Sequence, residues 1–154
     1  MAVKVIEGYP QMPPLTHEEL EIFLHHPRIA RLGTLNEDGT IHMTPVFFKY
    51  DQGEFILGTQ VVSRRVRNIQ RNPKVTLLID DTSPDLIAAI VYGKAELDYV
   101  DVVQKRTTIF EQFSDHEQAF KKAEGLCKKW PSVIIRIKPD RIVSYDYMKA
   151  ALLA

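Results

Sequence analysis

The part of the sequence best suited to chemistry is a basic segment, Thr-Gln-Val-Val-Ser-Arg-Arg-Val-Arg-Asn at positions 59–68. Ser63 is a typical helix N-cap residue. Arg64 and Arg65 would then lie in the first helical turn, where free N–H groups and the helix dipole favour negative charge. Two arginines oppose that local field unless an anion binds there. The segment therefore indicates a site for a terminal phosphate.

Two other interpretations of these arginines remain open. They could form an ordinary solvated basic surface, or they could contact nucleic acid. The basic residues without an intervening acidic one are Arg64, Arg65, Arg67, Arg71 and Lys74. The patch is short and no aromatic residues alternate with it, so the nucleic-acid interpretation is the weaker one. We expect no nucleic-acid partner.

The second candidate segment is His-Met-Thr-Pro-Val-Phe-Phe at positions 42–48. Strand alternation places His42, Thr44 and Val46 on one face and Met43, Pro45 and Phe47 nearer the other. A face of this composition suits a planar heteroaromatic ligand, although an ordinary strand with one solvated face would look the same. Because Pro45 cannot donate a ladder hydrogen bond, its strand should be an edge strand, bulged, or open toward a ligand.

Other kinds of site lack their usual residue patterns. The five histidines show no metal-ligand spacing, and we expect no metal. The sequence has no nucleophile elbow and no glycine-rich phosphate loop. Cys127, the only cysteine, reads as a small core residue on an amphipathic helix. No side chain stands out as a general acid or base, so the catalytic residues are left unassigned.

Composition indicates one ordinary globular domain, residues 1–154. Lys plus Arg equals Asp plus Glu at 20 each, so the net charge suggests neither a nucleic-acid nor a membrane partner. A single cysteine fits a reducing compartment, and no apolar run approaches the roughly 20 residues of a membrane helix. We expect a soluble, cytoplasmic protein.

The elements that must position these segments follow from periodicity and turn signals. After an extended arm at residues 1–14, Thr16 and Glu19 make a capping box before a short helix, 17–26. Extended runs joined by short turns then predict a β-meander. The predicted strands are 28–35, 40–50, 54–60, 74–80, 86–98, 132–138 and 141–145, and the later helices are one from Ser63 to before Pro73 and two within 100–129. Six or seven strands with three or four helices predict an α+β fold built on an antiparallel barrel or sheet.

In this order the motifs resemble the pyridoxamine 5′-phosphate oxidase-like superfamily. The resemblance covers roughly residues 16–146. It is carried by Arg-Leu-Gly-Thr-Leu at 31–35, Asp-Gly at 38–39, His-x-Thr-Pro-Val at 42–46, Thr59, Ser-Arg-Arg-x-Arg-Asn at 63–68, Asn-Pro-Lys-Val at 72–75, Gly-Lys-Ala-Glu-Leu at 93–97 and the ending at 135–143. It implies a split β-barrel homodimer that binds FMN, or a deazaflavin coenzyme, at the subunit interface.

The resemblance also implies which residues would hold the cofactor. Ser63, Arg64 and Arg65 would grip its phosphate with Thr59 nearby, and residues 42–46 would lie along the ring system, chiefly through backbone groups. The full implied set is His42, Met43, Thr44, Pro45, Val46, Leu57, Thr59, Ser63, Arg64 and Arg65. The chain lacks the Arg-Leu-x-Pro ending of pyridoxamine phosphate oxidases, which argues against vitamin B6 oxidation.

Three hypotheses follow from these residues and the resemblance. The first is an oxidoreductase in which FMN accepts and donates electrons with an unidentified small molecule. The second is the same fold using the deazaflavin coenzyme, with Arg67, Arg71 and Lys74 supplying part of a groove for its acidic tail. The third is a non-enzymatic flavin carrier or sensor, or a basic interaction module with no cofactor.

Overall fold

The computed structural model of the chain describes residues 4–7 and 12–152. Half of the predicted arm at 1–14, namely residues 1–3 and 8–11, lies outside the described residues, and residues 4–7 form a strand. The strands are β1 Lys4–Glu7, β2 Ile29–Leu35, β3 Ile41–Phe47, β4 Lys49–Asp51, β5 Glu54–Gln60, β6 Lys74–Asp81, β7 Ile87–Asp98 and β8 Ser132–Asp146. The helices are α1 His17–His25, α2 Arg64–Arg71, α3 Val102–Phe110, α4 His116–Lys129 and α5 Tyr147–Leu152.

Helix α1 begins where its sequence predicts. Thr16 accepts a hydrogen bond from the Glu19 N–H at 3.2 Å, and Glu19 accepts one from the Thr16 N–H at 3.0 Å. This is the predicted capping box, which satisfies backbone donors that a helix start leaves free. The helix buries Leu20, Phe23 and Leu24, and it ends one residue before the predicted boundary.

The strands form one curled sheet in the order β3-β2-β6-β7-β8-β5-β4, in which every neighbouring pair is antiparallel. β1 adds to β8 in the parallel sense. With its helices, this sheet confirms the predicted α+β split barrel. The described residues hold eight strands and five helices, more than the sequence pattern predicts. One reason is that the predicted strand 40–50 divides at Phe48, which separates β3 from β4.

The closing strand is continuous, so the prediction of two strands at 132–138 and 141–145 is wrong. Ser132–Asp146 form a single strand of 15 residues. Pro139 lies opposite Gly93, where the register between β7 and β8 shifts. A bulge of this kind lets a strand bend and absorb a proline without ending.

The core lies on the concave side of the sheet and is closed by α1. Side chains with no exposed surface include Leu32, Phe55, Leu57, Leu77 and Ile135. A smaller cluster of Ile56, Ile109 and Ile134 fixes α3 against β5 and β8. None of the helices in the described part of the chain has the length and apolar character needed to cross a bilayer.

The barrel is split between β3 and β5. β4 pairs only with residues 54–56 of β5, so residues 57–60 pair with β8 on one side and with no described strand on the other. The strand containing Pro45 was predicted to be an edge strand, bulged, or open toward a ligand, and the structure shows an edge strand, because β3 ends the strand order. Two open strand edges therefore face a gap, and α3 packs beside it.

Candidate functional site

The start of α2 has the geometry expected of a capped helix. Ser63 has extended backbone angles, and its hydroxyl accepts a hydrogen bond from the Val66 N–H at 3.4 Å. The Thr59 hydroxyl, at the open end of β5, donates to the Ser63 hydroxyl at 3.2 Å. The first turn contains no acidic residue. The helix therefore supplies no negative side chain of its own at the positive end of its dipole.

The two arginines of the first turn lie in different surroundings. Arg64 is exposed, whereas Arg65 is half-buried. The Nε of Arg65 is inaccessible to solvent and has no hydrogen-bond partner among the described residues. Burial lowers the pKa of the Arg65 guanidinium from its ordinary value. Removing a cation from water without a partner costs free energy, so binding of an anion to Arg65 would offset that cost.

Arg65 lines a cavity of about 140 Å³ in the gap between β3 and β5. The lining contains no carboxylate; its residues are Pro45, Val46, Phe47, Gly58, Arg65, Arg106, Ile109 and Phe110. Ligand pockets for drug-sized molecules have volumes of roughly 300–1,000 Å³. This cavity can therefore enclose one anionic end of a nucleotide, while the remainder of the ligand lies outside it.

A second arginine enters the cavity from α3. Arg106 is only 8% exposed, and its guanidinium Nη1 donates to the Ser132 hydroxyl at 2.9 Å. Its aliphatic part crosses Gly58, where an added Cβ would lie 2.7 Å from Arg106 Cγ. Gly58 thus provides the space that Arg106 occupies. Like Arg65, Arg106 has a buried Nε with no partner among the described residues.

Two aromatic rings, Phe47 and Phe110, form part of the cavity wall on the side of α3. The Phe47 ring packs edge-on against Phe110 and Phe113, with centroid distances of 5.6 and 5.2 Å. The Lys122 ammonium lies 4.3 Å from the Phe110 ring centroid and 4.6 Å from that of Phe47. A third cation thereby contributes to the positive field beside the cavity.

The residues of β3 alternate as their sequence predicts. His42 and Thr44 are half-buried and Val46 is buried, whereas Met43, Pro45 and Phe47 are exposed. The Thr44 hydroxyl oxygen is inaccessible to solvent and lacks a hydrogen-bond partner among the described residues. A buried hydroxyl without a partner costs free energy unless a ligand or water supplies one.

The structure brings some of the predicted site residues together and separates others. Pro45, Val46 and Arg65 share the cavity, and Thr59 and Ser63 are joined at the start of α2. Leu57 points into the core with no exposed surface. Met43 lies on the outer face of the sheet. His42, Thr44 and Arg64 are not among the residues that line the cavity.

Sequence reasoning missed Gly58 and Arg106. A signal for Arg106 was present, because it shares a helical face with Val102, Ile109 and Phe110, and an arginine on an apolar face needs an explanation. Gly58 gave no such signal, since its role depends on a side chain far away in sequence. Cys127 was predicted to be a core residue, but it is half-buried.

Asn68 is a further residue that sequence reasoning did not assign. It is 2% exposed, and its amide nitrogen donates to Thr34 Oγ1 at 3.0 Å and to Asn36 Oδ1 at 2.9 Å. Arg71 donates to the Leu35 carbonyl and to the Asn68 side-chain oxygen. These bonds tie α2 to the end of β2 and hold the capped helix start in place.

A larger cavity of about 490 Å³ lies on the outer face of the sheet, against β2, β3, β6 and β7. Its lining is mainly apolar and includes Gly33, Leu35, Ile41, Met43 and Tyr92. The described ranges contain no group of three or more His, Cys, Asp or Glu side chains placed so that they could hold a metal ion.

The chemistry of the smaller cavity matches an oxyanion of the phosphate type. It offers two guanidinium groups with unused donors and lies beside a capped helix start with free N–H groups. A family model described as pyridoxamine 5′-phosphate oxidase matches residues 16–145. The chain belongs to the pyridoxamine 5′-phosphate oxidase family. Among curated proteins, none matches it in sequence.

Solved structures of other proteins share the fold of this chain. A conserved hypothetical protein, Rv2991 from Mycobacterium tuberculosis, superposes with a TM-score of 0.78 at 23% identity, over 94% of this chain and 92% of that one. An F420 reductase superposes with a TM-score of 0.64 at 19% identity, over 79% and 94%. An FAD-binding protein from Mesorhizobium loti gives 0.60 at 19% identity, over 84% and 91%. At these identities the likeness shows the fold and does not choose among ligands.

Proposed function

We propose that the protein binds a flavin nucleotide, FMN, by its phosphate and serves as an oxidoreductase toward an unidentified small molecule. The observation that carries this proposal is the environment of Arg65. This arginine follows a capped helix start, lines the cavity between β3 and β5, and has an unpartnered, buried Nε. A terminal phosphate would satisfy both the guanidinium and the helix dipole.

The residues around Arg65 fit distinct parts of such a ligand. Ser63 and Arg64 would hold the phosphate with Arg65, and Thr59 would fix the Ser63 hydroxyl through their hydrogen bond. Residues 42–46 would lie along the ring system, where the open edge of β3 offers backbone groups. The unpartnered Thr44 hydroxyl is available to this ligand, and Leu57 supports β5 from the core side.

When bound, FMN supplies the two-electron chemistry, and the protein supplies binding, orientation and the local field. The described cavity lining contains no histidine, carboxylate or thiol, so it provides no general acid or base. This chain contributes a positive electrostatic field at the cavity, because Arg65, Arg106 and nearby Lys122 favour an anionic ligand.

A homodimer is part of the proposal, and its support is the outer face of β2 and β3. Cross-strand pairs on this face join Ile29 to Phe47 and Leu35 to Ile41. All four side chains are more than a third exposed, and Met43 beside them is 54% exposed. An exposed apolar face of this kind is typical of an interaction surface. A second copy, with no net charge to repel the first, is the occupant we propose.

The deazaflavin coenzyme is the second candidate cofactor, and exposed basic residues beyond Arg65 favour it. Arg67 and Lys74 are exposed and could meet an acidic tail. Arg71 is less available, because it donates to the Leu35 carbonyl and to Asn68. A non-enzymatic flavin carrier would use the same cavity.

A cytoplasmic location stays a prediction from the single cysteine.

Titration of the apo-protein with FMN and with the deazaflavin coenzyme tests the proposal. We expect saturable binding of one FMN per subunit, with affinity for the deazaflavin at least about tenfold lower, which corresponds to about 1.4 kcal/mol. Preferential binding of the deazaflavin would move the protein to the second candidate. Binding of neither compound would contradict the proposed function.

A further inference from the structure

Arg106 is a buried cation without an acidic partner. The residue is almost completely inaccessible, at 8% exposure, and no described carboxylate forms an ion pair with it. Its polar neighbours are the Ser132 hydroxyl, 2.9 Å from Nη1, and the thiol of Cys127. Burial lowers the pKa of the guanidinium, and its Nε has no partner among the described residues. A buried arginine normally pairs with an anion, because its desolvation is otherwise uncompensated.

Packing alone gives a poor reason for an arginine at this position. Val102 and Ile109, which lie on the same face of α3, pack into an apolar cluster with Ile56 and Ile134. A methionine or leucine would continue that cluster without the cost of burying charge. The arginine moreover needs a glycine opposite it, since a Cβ on Gly58 would come within 2.6 Å of Arg106 Nε.

Arg65 and Arg106 meet in the same small cavity from opposite elements. Arg65 comes from the first turn of α2, and Arg106 comes from the middle of α3. Each has an unused Nε donor, and nothing acidic lines the space between them. Two cations confined in about 140 Å³ repel each other unless an anion lies between them.

We propose that Arg106 is a second phosphate-binding residue, which holds the terminal phosphate of the cofactor from the side of α3 while Arg65 holds it from α2. This inference rests on the proposed function. It adds Arg106 to the binding residues, and it adds a preference for a terminal phosphate ester over a phosphodiester. A terminal phosphate ester carries a charge of about −1.5 to −2 at pH 7, which two guanidinium groups balance. A phosphodiester carries one charge and continues on both sides, so a cavity of about 140 Å³ with two arginines favours the terminal ester over it.

Substitution of Arg106 with methionine separates phosphate binding from packing. We expect Arg106→Met to raise the Kd for FMN by about 10- to 100-fold, the range for loss of a charge-assisted hydrogen bond. The Kd for riboflavin, which lacks the phosphate, should change less than about twofold. Arg106→Lys keeps the charge and should lie between the wild type and Arg106→Met. Arg67→Met, an exposed arginine of α2 outside the cavity, is the matched control and should bind like the wild type.

Equal changes in the FMN and riboflavin affinities of Arg106→Met, or no change in either, would overturn the inference. Inorganic phosphate provides a readout that does not depend on flavin binding. In a phosphate-free buffer of constant ionic strength, added phosphate should raise the Tm of the wild type and of Arg67→Met but not that of Arg106→Met, and dimethyl phosphate should raise none. If the wild type binds no FMN, the proposed function is wrong. The Tm shift with inorganic phosphate then decides by itself whether Arg65 and Arg106 form a phosphate site. Absence of a shift in the wild type would then overturn it as well.

Discussion

The side chain of Arg106 lies directly across Gly58, where a Cβ would meet Arg106 Nε at 2.6 Å, Cγ at 2.7 Å and Cδ at 2.9 Å. The two residues belong to α3 and β5, and both line the cavity that also contains Arg65. A glycine in the open half of β5 is thereby explained by close approach of another side chain rather than by a turn.

Gly58→Ala should expel the Arg106 guanidinium from the cavity without removing its charge from the protein. We expect FMN affinity to fall by about tenfold or more, while the free energy of unfolding falls by about 1–3 kcal/mol through overpacking. Isothermal titration and chemical unfolding measure the two effects separately. Gly125→Ala is the control, because a Cβ there meets nothing within 4 Å. Unchanged FMN affinity in Gly58→Ala would show that the position of Arg106 does not matter for binding.

Gly93→Ala should be harmful for a different reason. A Cβ on Gly93 would lie 2.4 Å from the Lys138 carbonyl oxygen, and backbone cannot move aside as a side chain can. We expect a loss of about 3 kcal/mol or more in the free energy of unfolding, measured by urea denaturation, because the β7–β8 bulge must shift. A loss below about 1 kcal/mol would mean that the bulge accommodates a side chain.

The contribution of Glu19 to stability should depend on pH. Hydrogen bonds from Lys149 and from the Thr16 backbone lower the pKa of Glu19 from 4.5 to about 2. Because the folded-state pKa is depressed, the stabilisation is present above about pH 4.5 and is lost as the pH falls toward 2. The Glu19 side chain is 42% exposed, so solvent screening limits the effect at neutral pH to about 1 kcal/mol or less.

Comparison of the wild type with Glu19→Gln measures this dependence, since the amide keeps an oxygen for the Thr16 N–H and loses the charge. The difference in unfolding free energy should be constant from pH 7 to about 5 and should shrink at lower pH. A difference that stays constant down to pH 2 would contradict the assignment to the carboxylate.

Met43→Glu should separate the proposed dimer, because it places a charge at the centre of the apolar outer face of β2 and β3. Light scattering on a sizing column should give twice the 17.7 kDa chain mass for the wild type and a single chain mass for the variant. Ile22→Glu, at an exposed apolar position on α1, is the control and should remain dimeric. A wild type of single chain mass would contradict the proposed dimer.

The parts of the fold and site that sequence predicts are those that local interactions determine. The capping box of Thr16 and Glu19 and the N-cap Ser63 depend on neighbours three residues away, and all are found. The alternation along β3 is likewise local. What the sequence does not reveal depends on contacts between distant segments. Arg106 needs Gly58, and the continuity of β8 through Pro139 needs the register shift at Gly93.

Arg64 and Arg65 illustrate the same limit. They are adjacent and chemically alike, yet α2 directs Arg65 into the gap between β3 and β5 and leaves Arg64 exposed. Spacing alone could place both near the helix start, but only the packing of α3 beside that gap distinguishes them. Thr59 and Pro45 stay predictions as cofactor-binding residues; the structure shows that Pro45 lines the cavity and that Thr59 donates to the Ser63 hydroxyl.

The proposed binding of a flavin-nucleotide phosphate by Arg65 is tested most directly by the ratio of the riboflavin Kd to the FMN Kd. We predict a ratio of at least about 10 for the wild type and for the control Arg67→Ala, and a lower ratio for Arg65→Ala, in which Arg106, Ser63 and Arg64 remain to hold the phosphate. Equal affinities for FMN and riboflavin in the wild type, or a ratio that Arg65→Ala leaves unchanged, would contradict phosphate binding by Arg65.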